Sequence, residues 1–143
     1  MSNMFYGCNS LTSLDLSTFY TDSLLNANRI FYDCNKLTFL NIKNFDTSKL
    51  TIIEYMFYKC SSLTSIDVSS FDTTNVKSMK FMFNNCVNLK ELNLYNFNTL
   101  NCDSFQSMFT GVTNIKLIVN NDTSNNMVNA IKKLNQNITI EFR

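Results

Sequence analysis

The chain of 143 residues contains no histidine, no proline and no tryptophan, and it has only two glycines. Histidine is the side chain most often used as a general base near neutral pH, and it is also the commonest metal ligand. Its absence leaves the many serine and threonine hydroxyls without a standard partner for nucleophilic catalysis. We therefore expect a protein that is not an enzyme and that uses no cofactor or metal.

Charge is also scarce. Charged residues make up 16% of the chain and the net charge is +1, whereas a typical protein has about 25% charged residues. This balance gives no field strong enough to attract nucleic acid, so we expect no nucleic-acid partner. No stretch approaches the roughly 18 apolar residues that a membrane span requires. The first residues also lack the basic and apolar regions of a secretory signal.

What the chain does contain is a 26-residue repeat. The repeated pair reads Met4-Phe5, Ile30-Phe31, Met56-Phe57, Met82-Phe83 and Met108-Phe109. Three further positions keep the same step: Cys8, Cys34, Cys60 and Cys86; Leu11, Leu37, Leu63 and Leu89; Phe19, Phe45, Phe71 and Phe97. A fixed period of about 20 to 50 residues is typical of solenoids, in which each repeat packs against its neighbours. We predict a single solenoid domain over residues 1–143. Because the chain opens inside a repeat, it is expected to be a piece of a longer protein or a mature fragment.

Each repeat has a segment with helical spacing. From Leu50 to Cys60 the apolar residues follow one another at steps of 3, 3, 1 and 3. At about 100° per residue these positions fall within one stripe, which is typical of an amphipathic helix. Asp46 and Thr47 precede the stripe and are expected to cap the first turn. The sequence therefore predicts helices that begin near residues 21, 47, 73, 99 and 123.

A short alternating stretch follows each predicted helix. These stretches are Leu14-Asp15-Leu16, Leu40-Asn41-Ile42, Ile66-Asp67-Val68 and Leu92-Asn93-Leu94. Alternation of apolar and polar residues is the period of a half-buried strand. We predict an α/β fold, a right-handed solenoid of the leucine-rich-repeat type with one short parallel strand and one helix per 26-residue repeat. Its sheet should lie on the inner face, because strands are spaced more closely than helices.

The repeats extend over about residues 4–114, and the last unit departs from them. Leu117-Ile118-Val119 follows Leu92-Asn93-Leu94 one residue earlier than the 26-residue period requires. The helix predicted next carries Met127, Val128, Ile131 and Leu134, and a final strand is predicted at Ile138–Phe142. Terminal repeats are expected to be atypical because they must face water. Residues of about 115–143 are therefore interpreted as a C-terminal cap, whereas the N-terminal edge has no equivalent cap.

The repeat unit resembles that of a known family. Met56-Phe57, Cys60, Leu63, Ile66-Asp67-Val68 and Phe71-Asp72-Thr73 are similar to the 26-residue repeat of BspA-like bacterial surface proteins, which are leucine-rich-repeat solenoids. The resemblance extends from residue 4 to about residue 112. It implies a surface-exposed or secreted protein with a binding or adhesive role, and it brings no catalytic residues.

The repeated cysteines and acidic residues allow a chemical and a structural interpretation. Successive cysteines should lie nearly a helix spacing apart, beyond the roughly 7 Å limit for a disulfide, and a buried row of thiols is favoured over a metal site. Cys102 is expected to be a helix core residue. Asp15, Asn41, Asp67 and Asn93 form a polar row that could bind calcium, but its carboxylates alternate with amides. A solvated row is the favoured interpretation.

The positions that vary between repeats point to the strand face. We predict a binding face formed by Asp15, Phe39, Asn41, Lys43, Asp67, Glu91, Asn93 and Tyr95. Phe39, Tyr95 and Ile118 are expected to be exposed apolar anchors, a feature of binding patches. The first hypothesis is a non-enzymatic module that binds a protein or another macromolecule. The alternative is a structural spacer or self-assembling tile that associates through its N-terminal edge.

Overall fold

The computed structural model describes residues 1–122, 124–134 and 137–143, without the side chains of residues 125 and 134. These residues form a solenoid of parallel strands with about five turns. We call each turn a coil and number the coils by the phenylalanine that recurs in each of them. Coils 1 to 5 contain Phe5, Phe31, Phe57, Phe83 and Phe109. The predicted solenoid is therefore present.

Short parallel strands line one face. Strands β1 (Ser13–Asp15) and β2 (Phe39–Asn41) form one pair, with Leu14 opposite Leu40. Strands β3 (Glu91–Leu94), β4 (Ile115–Val119) and β5 (Ile138–Phe142) form a second parallel sheet with β4 in the middle. The strand face is therefore divided into two sheets along the axis of the solenoid.

The division falls at coil 3, where the strand predicted at residues 66–68 is absent. The hydroxyl groups of Ser61 and Ser62 in coil 3 both donate to the carbonyl of Asn35, at 3.2 and 2.6 Å. The ladder resumes on the other side of coil 3, where the amide of Lys90 donates to the carbonyl of Thr64 at 3.2 Å.

The prediction of one helix per repeat was wrong. In an α-helix every amide donates to the carbonyl four residues earlier. In coil 3, the amides of Tyr55, Phe57 and Lys59 instead donate to three carbonyls of coil 4, at 3.0, 2.9 and 2.8 Å. The amides of Tyr58 and Cys60, between and after them, donate three residues back within their own coil. Every second amide thus donates to the next coil. In a helix, these amides would donate within their own segment.

We call this part of each coil the turn segment, at residues 3–8, 29–34, 55–60, 81–86 and 107–112. Two backbone positions in each turn segment, four residues apart, have positive φ. They are Asn3, Arg29, Tyr55, Phe81 and Ser107, and Gly7, Asp33, Lys59, Asn85 and Gly111. Left-handed backbone costs an L-residue about 1–2 kcal/mol. Because the turns bring the same apolar residues to the interior as a helix would, the burial predicted from helical spacing is nevertheless correct.

Columns of equivalent side chains fill the interior. Phe31, Phe57 and Phe83 are fully buried, and each ring stacks on the next at 5.6 and 5.3 Å between centroids. Stacked aromatic pairs contribute about 0.5–1.5 kcal/mol beyond the area that they bury. The core is therefore a set of continuous columns along the axis, with no single centre.

The C-terminal unit follows the prediction more closely. Helix α1 (Asn125–Leu134) buries Met127, Val128 and Ile131, and β5 closes the sheet at the predicted residues. The side chain of Leu134 and the predicted helix start at residue 123 lie outside the described residues. Across the three described ranges, no helix has both the length and the apolar character needed to cross a membrane.

Candidate binding surface

The polar row of the strand face is part of the scaffold. Each of its side chains accepts a hydrogen bond from the amide two residues later: Asp15 from Ser17 (2.8 Å), Asn41 from Lys43 (3.4 Å), Asp67 from Ser69 (2.9 Å) and Asn93 from Tyr95 (3.0 Å). Such Asx turns end a strand by replacing a backbone acceptor with a side-chain oxygen. Aspartate and asparagine both supply this oxygen, which explains why either residue occurs at this position.

The same hydrogen bonds lower the pKa values of the two aspartates in this row. The hydroxyl and amide of Ser17 hold the pKa of Asp15 below its usual value, and Ser69 does the same for the pKa of Asp67. These carboxylates are therefore ionised and committed to their own turns. Over the part of the chain that the structure describes, no three His, Cys, Asp or Glu side chains are grouped so that they could hold a metal ion.

The apolar side chains on this face differ in exposure. Phe39 is 51% and Tyr95 is 42% exposed, whereas the adjacent residues Leu40 and Leu94 are buried. The expectation that Ile118 is exposed was wrong, since only 5% of it is accessible. Ile118 lies in the middle strand β4, flanked in register by β3 and β5, and residues on both sides cover it.

Seven of the eight predicted residues fall into two groups. Asp15, Phe39, Asn41 and Lys43 lie at β1 and β2, where Asp15 and Asn41 are opposite each other. The second group contains Glu91, Asn93 and Tyr95, at β3 and just beyond it. Asp67 lies in coil 3, between the two sheets. The structure thus places the predicted residues on one face, but it separates the two exposed aromatic rings.

Sequence reasoning missed a charged row beside the second group. Lys116 of β4 contacts Glu141 at 2.6 Å and Glu91 at 3.6 Å, and Arg143 pairs with Glu141. Hydrogen bonding to Glu141 raises the pKa of Lys116, and the same bond lowers the pKa of Glu141. The signal in the sequence was that Lys116 follows Glu91 one residue earlier than the 26-residue period requires, which places opposite charges on adjacent strands.

A shallow groove adjoins this row. Its lining residues are Asn93, Tyr95, Asn96, Ile118 and Arg143. The side-chain amide of Asn96 donates to the carbonyl of Ser69 at 2.8 Å, which fixes one wall. The groove thus combines an aromatic ring, a guanidinium group and amides on a rigid support.

The cysteines form a buried row, as the sequence predicted, although in turns and not in helices. The thiols of Cys34, Cys60 and Cys86 donate to the phenylalanine carbonyl of the preceding coil at 3.0–3.1 Å. Burial raises the pKa of Cys34 to about 11 and that of Cys86 to about 12. All five cysteines are free, and Cys8 in coil 1 is only partly buried.

A second feature that sequence reasoning missed lies on the turn segments. Tyr6, Tyr32 and Tyr58 stack at 4.6 Å between successive ring centroids. Arg29 lies over the ring of Tyr55 at 4.7 Å. The signal was again the 26-residue period, which the three tyrosines keep. This column is exposed at Tyr6 and partly buried further along.

A family model described as a Mycoplasma protein of unknown function, DUF285, matches residues 1–122. No curated protein and no solved structure matches the chain.

Proposed function

Because the chain belongs to the DUF285 family, whose repeats are related to BspA-like surface repeats, we propose that it is a non-enzymatic binding or adhesion module of a cell-surface or secreted protein. Its ligand is a protein or another macromolecule, and the strand face is the contact surface. Nucleic acid is not the ligand, since the net charge of +1 provides no attraction for phosphates.

One observation carries this proposal. Phe39 and Tyr95 keep about half of their side-chain surface exposed beside strand positions that are fully buried. Rigidly held aromatic side chains contribute much of the energy in binding surfaces, because little conformational entropy is lost when they are covered. The Asx turns hold the strand ends in place, and the groove next to Tyr95 supplies polar contacts. The face is thus prepared to bind without rearrangement.

A catalytic role has less support. The chain has no histidine, and thiols with raised pKa values are poor nucleophiles because the thiolate is the reactive form. On the strand face, Asp15 and Asp67 are engaged in Asx turns, and Glu91 and Glu141 are engaged in ion pairs.

The test is a binding measurement with the double variant Phe39→Ser/Tyr95→Ser. The probe is an array of purified extracellular proteins, scored with the fluorescently labelled chain. Two exposed leucines away from the strands supply a matched control, Leu25→Ser/Leu100→Ser, because they are 72% and 60% exposed.

We expect the strand-face variant to lose at least about 2 kcal/mol of binding free energy for any protein captured, the usual loss when a hot-spot residue is truncated. The control variant should bind as the parent does, and sedimentation should show the same oligomeric state for all three. Equal loss in both double variants, or unchanged binding by the strand-face variant, would refute the proposal.

A further inference from the structure

The groove beside Tyr95 combines an apolar floor with a charged wall. Its floor is Ile118, which lies in the middle strand β4 and is 5% exposed. In the register of the sheet, Ile118 is opposite Asn93 on one side and Glu141 on the other. The groove has a volume of about 280 Å³, slightly below the range of about 300–1,000 Å³ that is usual for ligand pockets. It therefore has room for the end of a ligand and not for a long segment.

The two asparagines that line the groove each have one end of the side-chain amide already bonded. The oxygen of Asn93 accepts from the backbone amide of Tyr95 at 3.0 Å. The nitrogen of Asn96 donates to the carbonyl of Ser69 at 2.8 Å. Within the part of the chain that the structure describes, the nitrogen of Asn93 and the oxygen of Asn96 form no further hydrogen bond. The groove thus offers one donor and one acceptor, which together complement a peptide group.

Arg143 is the one charged residue among the five that line the groove. Its Nε atom donates to Glu141, which orients the guanidinium group. Glu141 also contacts Lys116 at 2.6 Å, so its negative charge is shared between two cations. The two terminal nitrogens of Arg143 retain a fork of N–H donors, a geometry that matches a carboxylate. This wall of the groove is therefore complementary to an anion of that shape.

We propose that the groove binds the C-terminal carboxylate of a protein ligand whose last residue is apolar. The carboxylate accepts from the terminal nitrogens of Arg143, and the last side chain covers Ile118 beside the ring of Tyr95. The last peptide group donates to the oxygen of Asn96 and accepts from the nitrogen of Asn93.

An apolar C-terminal residue carries its charge and its apolar group on the same carbon atom, so it contacts the wall and the floor together. An internal aspartate or glutamate would supply the charge without the apolar group. This inference rests on the function proposed for the strand face, and it names the part of the protein ligand that enters the groove.

Three fluorescein-labelled peptides of glycine and serine that differ only at the C-terminus test the ligand chemistry. The first ends in leucine with a free carboxylate. The second ends in leucine amide, which lacks the charge and keeps the apolar group. The third ends in glutamate amide, which keeps one carboxylate on a side chain. Fluorescence anisotropy measures the binding of each peptide to the full chain, and both amidated peptides should bind at least about tenfold more weakly than the first.

Two matched variants test the location of the site. Asn93→Asp keeps the oxygen of its Asx turn, as Asp15 and Asp67 do at equivalent positions, but it removes the amide donor and places a carboxylate in the groove. The leucine peptide should bind this variant at least about tenfold more weakly, because like charges then face each other. Asn41→Asp makes the same change in coil 2, outside the groove, and should bind the peptide as the parent chain does.

Three results would overturn the inference. They are equal binding of either amidated peptide, unchanged binding by Asn93→Asp, and no binding of the leucine peptide at concentrations up to about 1 mM. Equal binding of the glutamate peptide would make an internal acidic side chain the occupant.

This inference and the function proposed for the strand face fail separately. If no peptide binds while Phe39→Ser/Tyr95→Ser still loses the proteins that the parent chain captures, only the inference about the groove is overturned. If the leucine peptide binds as expected while that double variant captures proteins as the parent does, the groove is supported and the wider strand face is refuted as the contact surface.

Discussion

Individual polar residues in this chain form hydrogen bonds that hold its turns and coils together. Besides the Asx turns and the cysteine row, buried threonines link the coils: Thr47 donates to the carbonyl of Asp72 at 2.9 Å, and Thr73 donates to that of Asn98 at 3.0 Å. Asp46, expected to cap a helix, accepts from the amide of Ser48 in another Asx turn. A residue type that recurs with the 26-residue period therefore indicates a repeated structural contact.

The Asx turn at Asp67 gives a first prediction. Asp67→Asn keeps the accepting oxygen, as Asn41 and Asn93 do at equivalent positions, so the free energy of unfolding should change little. Asp67→Ala removes the acceptor and should lower the free energy of unfolding by about 0.5–1.5 kcal/mol. Urea denaturation of the two variants measures the difference. Equal loss in Asp67→Asn and Asp67→Ala would show that charge, and not the turn, matters at this position.

The buried thiols give a second prediction, on alkaline stability. The folded pKa values of about 11 for Cys34 and about 12 for Cys86 exceed the value of about 8.5 expected in the unfolded chain. Above the lower value the unfolded state releases protons that the folded state retains, so stability falls as the pH rises. We expect the loss to begin near the unfolded pKa and to continue through the folded values.

The variant Cys34→Ala/Cys86→Ala isolates this effect from tyrosine ionisation, because all tyrosines remain. Its free energy of unfolding, measured by urea denaturation between neutral pH and about pH 11, should depend less on pH than that of the parent chain. Identical slopes for the two proteins would contradict the assignment.

At the scale of elements, the turn segment determines how coils join. Its positive-φ positions are occupied by large residues such as Tyr55 and Lys59, and left-handed backbone at such residues is uncommon. The hydrogen bonds to the next coil and the stacked rings offset this cost.

Lys59→Gly therefore gives a third prediction, whose sign distinguishes a turn from a helix. Glycine adopts positive φ without steric cost and keeps the amide that donates to Asn84, so the variant should gain up to about 1 kcal/mol of stability. In the interior of a helix the same change would cost about 1 kcal/mol. Thermal unfolding measures the sign. Lys36→Gly is the control, because Lys36 is exposed and does not have positive φ, and it should lower stability slightly.

The contrast between turn and helix shows what the sequence could predict. The apolar steps from Leu50 to Cys60 report which side chains are buried, and they do so correctly. They do not specify the backbone, because two left-handed residues can turn the chain toward the interior as a helix does. Glycine can indicate such turns, and the two glycines of the chain do occupy the position of Lys59 in coils 1 and 5. Tyr55 and Lys59 themselves carry no such signal. The sequence therefore predicted the repeat, the core and most strands, and it missed the element between them.

The candidate surface was predictable to a similar extent. Phe39 and Tyr95 interrupt the repeat, and this irregularity indicated that they face outward. Ile118 also interrupts it but is buried, because β5 lies beside it and its neighbours on both sides cover it. The charged row at Lys116 depends on the register of β3, β4 and β5. In this last unit, residues opposite each other on adjacent strands are fewer than 26 positions apart in the sequence.

At the scale of the whole molecule, the solenoid has a direction. All turn-segment amides that join coils point toward the C-terminal end, where α1 and β5 cover the last coil. The carbonyls that accept from these amides point toward the N-terminal end. Since each coil contacts only its neighbours, the stability of the stack depends on these interfaces. This directional ladder replaces the helix that the sequence predicted.

Nuclear magnetic resonance can detect the ladder through scalar coupling across hydrogen bonds in protein labelled with ¹⁵N and ¹³C. We expect a coupling from the amide nitrogen of Phe57 to the carbonyl carbon of Met82, and another from the amide nitrogen of Phe83 to the carbonyl carbon of Met108. Coupling from the amide nitrogen of Phe57 to the carbonyl carbon of Ile53, four residues earlier, would show a helix and rule out the ladder between coils.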